Sequence, residues 1–190
     1  MRIIGDKTFA IETKRLHITP IKKDEASHYL REFDLEVARY LDARPFNTID
    51  SVKVFAGNYE EARLREKHLI CSIYDKEKSF TGSIEFHHMD TKRPRINIWI
   101  AKEKWQKGYA YEALKGMINF FKAHMQLEGF IYEIDQRNDK GLELSKKLKG
   151  KKIDSYEVKR HKGSIAKVNK YFVNLIDDAQ EGNSYKKLGK

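Results

Sequence analysis

Residues 95–125 constrain this chain more than any other stretch. Arg95-Ile96-Asn97-Ile98-Trp99-Ile100 alternates, with the three isoleucines on one face and Asn97 and Trp99 on the other, the pattern of a strand. After Trp105-Gln106-Lys107-Gly108, the residues Ala110, Ala113, Leu114, Met117, Ile118, Phe121 and Met125 recur at helical spacing and form one wide apolar face. The segment therefore reads as strand, tight turn, helix. A glycine-bearing turn at a helix start leaves several N–H groups unpaired at the positive end of the helix dipole, which suits a phosphate. The spaced glycines of a dinucleotide fingerprint are missing, and so is the Gly-Lys-Ser/Thr ending of a nucleoside-triphosphate loop. On these residues alone, plain helix capping is a better explanation of Gly108 than phosphate binding.

The rest of the chain gives an α/β order. Lys23 to Phe33 and Ser51 to Lys67 read as helices, with a short helical piece at Glu36 to Leu41 between them. His68 to Tyr74, Phe80 to His88 and Arg95 to Ile100 read as successive strands separated by turn residues. Phe130 to Ile134 is a strand after the long helix, so the right-handed crossover rule places it parallel to residues 95–100. Gly141 to Leu148 forms a short helix, and Tyr156 to Arg160 and Ile165 to Val173 flank a hairpin-like turn at His161-Lys162-Gly163. The expectation is one domain over residues 1–177 and a polar tail over 178–190.

Composition adds limits. A length of 190 residues suits one core, and 40% hydrophobic residues with three prolines argue against disorder. No apolar run is long enough to cross a bilayer, and the start lacks the apolar segment of a signal peptide. The single cysteine, Cys71, has no internal disulfide partner, so a reducing cytoplasm is expected; its apolar surroundings suit a buried, inert thiol. The net charge of +10 reads as a lysine-rich soluble surface or as attraction to a polyanion. Lysines concentrate at Lys146 to Lys152 and Lys186 to Lys190, but no arginine-rich arm or RNA-binding signature accompanies them. Nucleic acid is not the expected partner.

Three stretches carry a family resemblance. Lys104-Trp105-Gln106-Lys107-Gly108-Tyr109-Ala110-Tyr111-Glu112-Ala113-Leu114 resembles the acyl-CoA-binding turn of the GNAT acetyltransferases in their RimJ/RimL-like branch. That branch commonly reads Tyr-Trp-Gly-Lys-Gly-Tyr-Ala-Thr-Glu-Ala-Leu there. Glu12-Thr13-Lys14-Arg15-Leu16-His17-Ile18-Thr19-Pro20 resembles its opening strand, and Asn138 with Leu144, Lys147 and Leu148 resembles its Asn-to-Lys-Leu-Gly-Phe helix. The resemblance spans roughly residues 10 to 175. It implies a mixed, mostly antiparallel sheet with a splayed parallel strand pair, flanked by helices, and acetyl-CoA as cosubstrate. The pyrophosphate would sit on the N–H groups of Gln106, Lys107, Gly108, Tyr109 and Ala110. Trp99, Ile100 and Ala101 would offer backbone groups to the pantetheine and thioester, and Asn138 would contact the cofactor from the second strand. The acceptor would be a primary amine, either a protein N-terminus or a small molecule, attacked without a covalent enzyme intermediate. A monomer or a homodimer is compatible with the fold.

The departures from the family bear on catalysis. Gln106 replaces the first glycine of the turn. Arg95 stands where relatives often carry a glutamate that deprotonates the amine, and a guanidinium is no base. Glu85 on the neighbouring strand is a candidate replacement, and His87 shares its face, whereas strand alternation sends His88 to the other. A solvated strand face is the plain alternative for both. Adjacent histidines on a strand chelate poorly and no other ligand spacing occurs, so no metal is expected. Gly141 removes a serine at the usual small position, and Ser145 occupies the place of the family's tyrosine acid, as either an acid through water or a helix-surface residue. Tyr109 and Tyr111 read as packing and capping. These departures keep a second reading open, a CoA-binding protein of this fold with little or no catalysis that acts as a sensor or partner-binding module. A third, a basic ribosome- or RNA-associated protein, predicts salt-sensitive binding independent of CoA.

Overall fold

The computed structural model describes residues 3–6, 8–160 and 164–175; the expected turn at His161-Lys162-Gly163 and the tail from Asp178 lie outside the described residues. Eight strands form one sheet: β1 Ile11–Glu12, β2 Leu16–Pro20, β3 His68–Asp75, β4 Phe80–His87, β5 Arg95–Ile100, β6 Gly129–Asp135, β7 Lys151–Lys159 and β8 Ile165–Asn174. Four α-helices flank it: α1 Ala26–Glu32, α2 Ile49–Leu64, α3 Tyr109–His124 and α4 Asp139–Lys147. The strand order is β1-β2-β3-β4-β5-β6-β8-β7, antiparallel throughout except for the β5–β6 pair. The crossover through α3 makes that pair parallel, as the sequence implies.

The sheet separates two cores. The isoleucines Ile96, Ile98 and Ile100 of β5 join Leu114, Met117 and Phe121 of α3 and Phe130 and Ile134 of β6. On the other face Trp99 joins Tyr29, Phe33, Val52 and Phe80 beneath α1 and α2. The alternation of one six-residue strand thus feeds both cores, and it turns Asn97 and Arg95 toward the α1–α2 side as well.

Two elements differ from the sequence reading. Strand β7 begins at Lys151, five residues before the expected Tyr156. Residues 151–155 are all exposed and carry no apolar alternation, so nothing local announces a strand; pairing with β8 imposes it. Charged residues on such an outermost strand also discourage edge-to-edge association. The second difference is His88. Its φ of 60° lies in the left-handed region, just past the end of β4, and strand parity stops there. Its ring lies 5.6 Å from that of His68, whose ring is in turn 5.3 Å from His87. The histidine assigned to the opposite face therefore curls back toward its neighbour.

Cys71 is buried, and burial pushes its thiol well above the ordinary range, as suits an inert group. Among the described residues, no helix is long and apolar enough to cross a membrane, and no cluster of three or more His, Cys, Asp or Glu side chains could hold a metal ion.

Candidate active site

The central feature is where β5 leaves β6. These strands pair only at Arg95–Ile131 and Ile96–Tyr132. Beyond that point β6 stays on β8 as far as Asp135–Val168, while β5 stays on β4 as far as Ile100–Gly82. A wedge opens between two strands that each keep their outer partner. Buried backbone groups require partners, so the groups of β5 that face this wedge form a ready edge for an extended ligand.

Strand parity decides which groups these are. Ile131 N–H donates to Pro94 O across the parallel pair, so the even-numbered residues turn their backbone groups toward β6. Ala101 N–H donates to Thr81 O on the β4 side. The Trp99 carbonyl lies on that side too, 2.2 Å from where a Gly82 Cβ would stand. Of the three residues expected to offer backbone groups, Ile100 therefore faces the wedge while Trp99 and Ala101 face away. Ile98, which sequence reasoning did not assign, joins Ile100. The Trp105 indole N–H occupies Ile100 O at 2.7 Å, leaving the Ile100 N–H as the donor aimed into the opening.

The turn at the wedge's wide end follows the resemblance in backbone, if not in residue type. Gln106 has φ 62° and Gly108 φ 78°, both left-handed, and Gly108 is the N-cap of α3 with no side-chain cap. A glutamine thus holds the conformation a glycine would adopt freely. Gln106, Lys107 and Gly108 are exposed, and Tyr109 and Ala110 half-buried, so the first N–H groups of α3 stand at an open surface.

Sequence reasoning missed what anchors this turn. Arg15 donates from Nη1 to Lys107 O at 2.9 Å and from Nε to Glu112 at 2.6 Å, and its guanidinium lies 4.7 Å from the centre of the Tyr109 ring. Glu112 also accepts from Thr13 Oγ1 and from Arg15 N, each at 2.7 Å. Burial works against the Glu112 charge, but these bonds outweigh it and hold the carboxyl below its ordinary range. One carboxylate thereby ties the β1–β2 turn to the first turn of α3. Arg15 and Glu112 lay inside the two matching stretches; their separation by 97 positions hid the pairing.

On the α1–α2 side of β5 lies a cavity of about 510 Å³. Its floor is aromatic, with Trp99 against Tyr29 and Phe33 at ring separations of 5.6 and 4.9 Å, and Phe80 packs against Trp99 at 5.8 Å. Glu85 and His87 both line it, as their shared face requires, and Glu85 Oε2 lies 3.1 Å from His87 Nε2. His87 is buried and Glu85 half-buried. Asn97 stands opposite Glu85 in the ladder and Arg95 opposite His87. Arg95 also lines the cavity and reaches Glu133 at 3.4 Å. The guanidinium that replaces the family's carboxylate is therefore held beside a carboxylate on β6.

The two remaining candidates lie on the far side of the wedge. Asn138 caps α4, its side-chain oxygen accepting from Gly141 N–H at 2.9 Å. Ser145 is fully buried rather than on the helix surface. Its Oγ is 2.7 Å from where a Gly150 Cβ would stand, and it has no hydrogen-bond partner among the described residues. It does not line the cavity and is not brought together with Glu85 and His87.

Residues 15–151 match the Acetyltransferase (GNAT) domain. The chain belongs to the GNAT acetyltransferases. No curated protein matches its sequence. Among solved structures, a RimL ribosomal L7/L12 α-N-protein acetyltransferase in complex with coenzyme A is 11% identical with a TM-score of 0.79, covering 87% of this chain and 98% of that one. An acetyltransferase from Salmonella typhimurium that modifies the N-terminal serine of the same ribosomal protein is 12% identical, TM-score 0.78, over 89% and 100%. A Vibrio cholerae spermidine N-acetyltransferase, in complex with CoA and spermine, is 14% identical, TM-score 0.74, over 86% and 97%. At these identities the likeness is one of fold, and the GNAT architecture accounts for the splayed β5–β6 pair.

Proposed function

We propose that this GNAT protein is an acetyl-CoA-dependent N-acetyltransferase that moves an acetyl group to a primary amine by direct attack. The observation that carries the reading is the wedge between β5 and β6, with a helix N-terminus at its wide end and a cavity bearing a carboxylate–imidazole pair beside it. Gln106, Lys107, Gly108, Tyr109 and Ala110 hold the pyrophosphate through backbone N–H groups. Ile98 and Ile100 pair with the pantetheine as a neighbouring strand would, and the Ile100 N–H supports the thioester oxygen as charge develops on it. Asn138 supplies amide hydrogens from the β6 side.

The acceptor amine enters the aromatic cavity and meets Glu85, which removes its proton with His87 hydrogen-bonded behind it. This assigns to β4 the role that the start of β5 gives up to Arg95. Ser145 takes no part, because it is fully buried and lies apart from the cavity that holds Glu85 and His87. Acceptors of the two kinds named for the solved relatives, a protein N-terminus and a polyamine, are the first to test.

Thermal unfolding with acetyl-CoA, against ATP as polyanion control, tests the cofactor site. A ligand at about 100 times its dissociation constant adds about 2.7 kcal/mol to the native state. A clear shift with acetyl-CoA and little with ATP is expected, followed by amine-dependent thiol release. No shift at millimolar acetyl-CoA overturns the reading.

A further inference from the structure

Next to Glu85 and His87 stand His68 and His88, which the proposed chemistry leaves unused. We propose that His68 and His88 relay the proton collected by Glu85 and His87 out of the cavity to solvent. The inference rests on the acetyl-transfer reading.

The reaction releases a proton that such a route would carry. Acetylation of an ammonium acceptor forms an N–C bond and breaks the C–S bond, whose electron pair leaves on sulfur. The nitrogen gives up two protons; sulfur takes one, and the other must reach water at every turnover. Glu85 cannot act again until it has passed that proton on. His87 lines the cavity and is itself buried, so with an acceptor filling the cavity its way to solvent leads through its neighbours.

The next groups stand in sequence. His68 lies directly opposite His87 in the β3–β4 ladder, with their rings 5.3 Å apart. His88 follows at 5.6 Å from His68 and is exposed. The left-handed turn at His88 brings it there; an extended residue would point to the opposite face. His68 Nδ1 is buried with no hydrogen-bond partner among the described residues, although a buried ring nitrogen ordinarily finds one. An imidazole passes a proton by accepting it on one nitrogen and releasing it from the other, and the unpartnered His68 Nδ1 is free for that use. Tyr59 of α2 places its ring edge-on to both His68 and His87, at 5.9 and 6.0 Å, and walls the row on its helix side.

The charges around the row fit this use. Glu85 and Arg95 face His87 from β4 and β5, while Lys67 and Asp90 lie close enough to act on His68 from the flanking loops. Burial, followed by His87 and His88, holds His68 below its ordinary value, so it releases a proton readily rather than keeping it.

The test compares wild type with His68→Gln and His88→Asn under saturating acetyl-CoA and amine, in dilute buffer and again with added imidazole. Asparagine tolerates the left-handed backbone at position 88, so the second variant keeps the fold should the first not. The expected result is a roughly tenfold lower kcat in dilute buffer, with KM for the amine unchanged and the rate restored by imidazole. A merely structural role for His68 gives no imidazole rescue. Rates equal to wild type in both variants, or losses that imidazole leaves untouched, overturn the relay while leaving acetyl transfer standing. A wild-type protein that binds acetyl-CoA yet turns over no amine overturns the acetyl-transfer reading, and the relay with it.

Discussion

The two sides of β5 are built by different means. On the wedge side, the site is backbone: unpaired N–H groups of Ile98 and Ile100, and the left-handed turn at Gln106 and Gly108. On the cavity side, the site is side chains from four elements: Trp99 and Asn97 on β5, Glu85 and His87 on β4, Tyr29 on α1 and Tyr59 on α2. Backbone geometry survives substitution, so Gln106 can replace a glycine with the turn intact. Side-chain chemistry does not, so with Arg95 on β5 the proposed base is the Glu85 carboxylate on β4. The difference predicts that the two sides can be damaged separately.

The largest effect belongs to the cavity floor. Trp99→Ala empties the aromatic floor and costs about 3–5 kcal/mol by the rule for buried tryptophan; urea denaturation measures it, and a loss under 1 kcal/mol would mean the cavity floor is not held by Trp99. Next comes the clamp on the turn. Glu112→Gln breaks a set of charge-assisted bonds and costs about 2 kcal/mol at pH 7, reduced by solvent screening at the half-exposed Arg15. The sign with pH follows from the lowered carboxyl. Because the folded value lies below the ordinary 4.5, the clamp's contribution is full above pH 4.5 and is lost as pH falls through the folded value. The gap between wild type and the E112Q protein should therefore close on acidification, and a gap that widens would contradict the clamp.

Gly108→Val probes the turn alone. The nearest atom to a Cβ there is Arg15 Nη2 at 3.5 Å, an ordinary contact, so the cost lies in the φ of 78° and amounts to about 1–3 kcal/mol. Acetyl-CoA affinity should fall roughly tenfold as the N–H groups tilt, by the same conversion of 1.4 kcal/mol to a factor of ten. Titration calorimetry reads this directly. The smallest effect is Gln106→Gly, which releases left-handed strain of about 1 kcal/mol and should raise the melting temperature slightly with cofactor affinity retained.

The same contrast explains what the sequence disclosed. The wedge side was legible because Ile96, Ile98, Ile100 and the α3 apolar face are local periodic signals, and because Trp105 to Leu114 is one continuous motif. Its finer detail was not: only the ladder shows that Trp99 and Ala101 turn their backbone toward β4. The cavity side gave up Glu85 and His87 through strand parity, but parity failed at His88, where a positive φ that no residue type announces reverses the chain. Arg15 with Glu112, and His68 with His87, are contacts between distant segments that one sequence does not reveal. Strand β7 was half legible, since Lys151 to Ser155 face solvent and carry no pattern.

The central claim is that cofactor binding and proton removal reside on opposite sides of β5. Its most direct test is Glu85→Gln, with acetyl-CoA affinity and the rate of amine-dependent thiol release measured on the same protein. The account predicts an unchanged dissociation constant and a rate lower by about 10²–10⁴-fold at neutral pH. A Glu85→Gln protein that acetylates as fast as wild type, with the same dependence on pH, would contradict it.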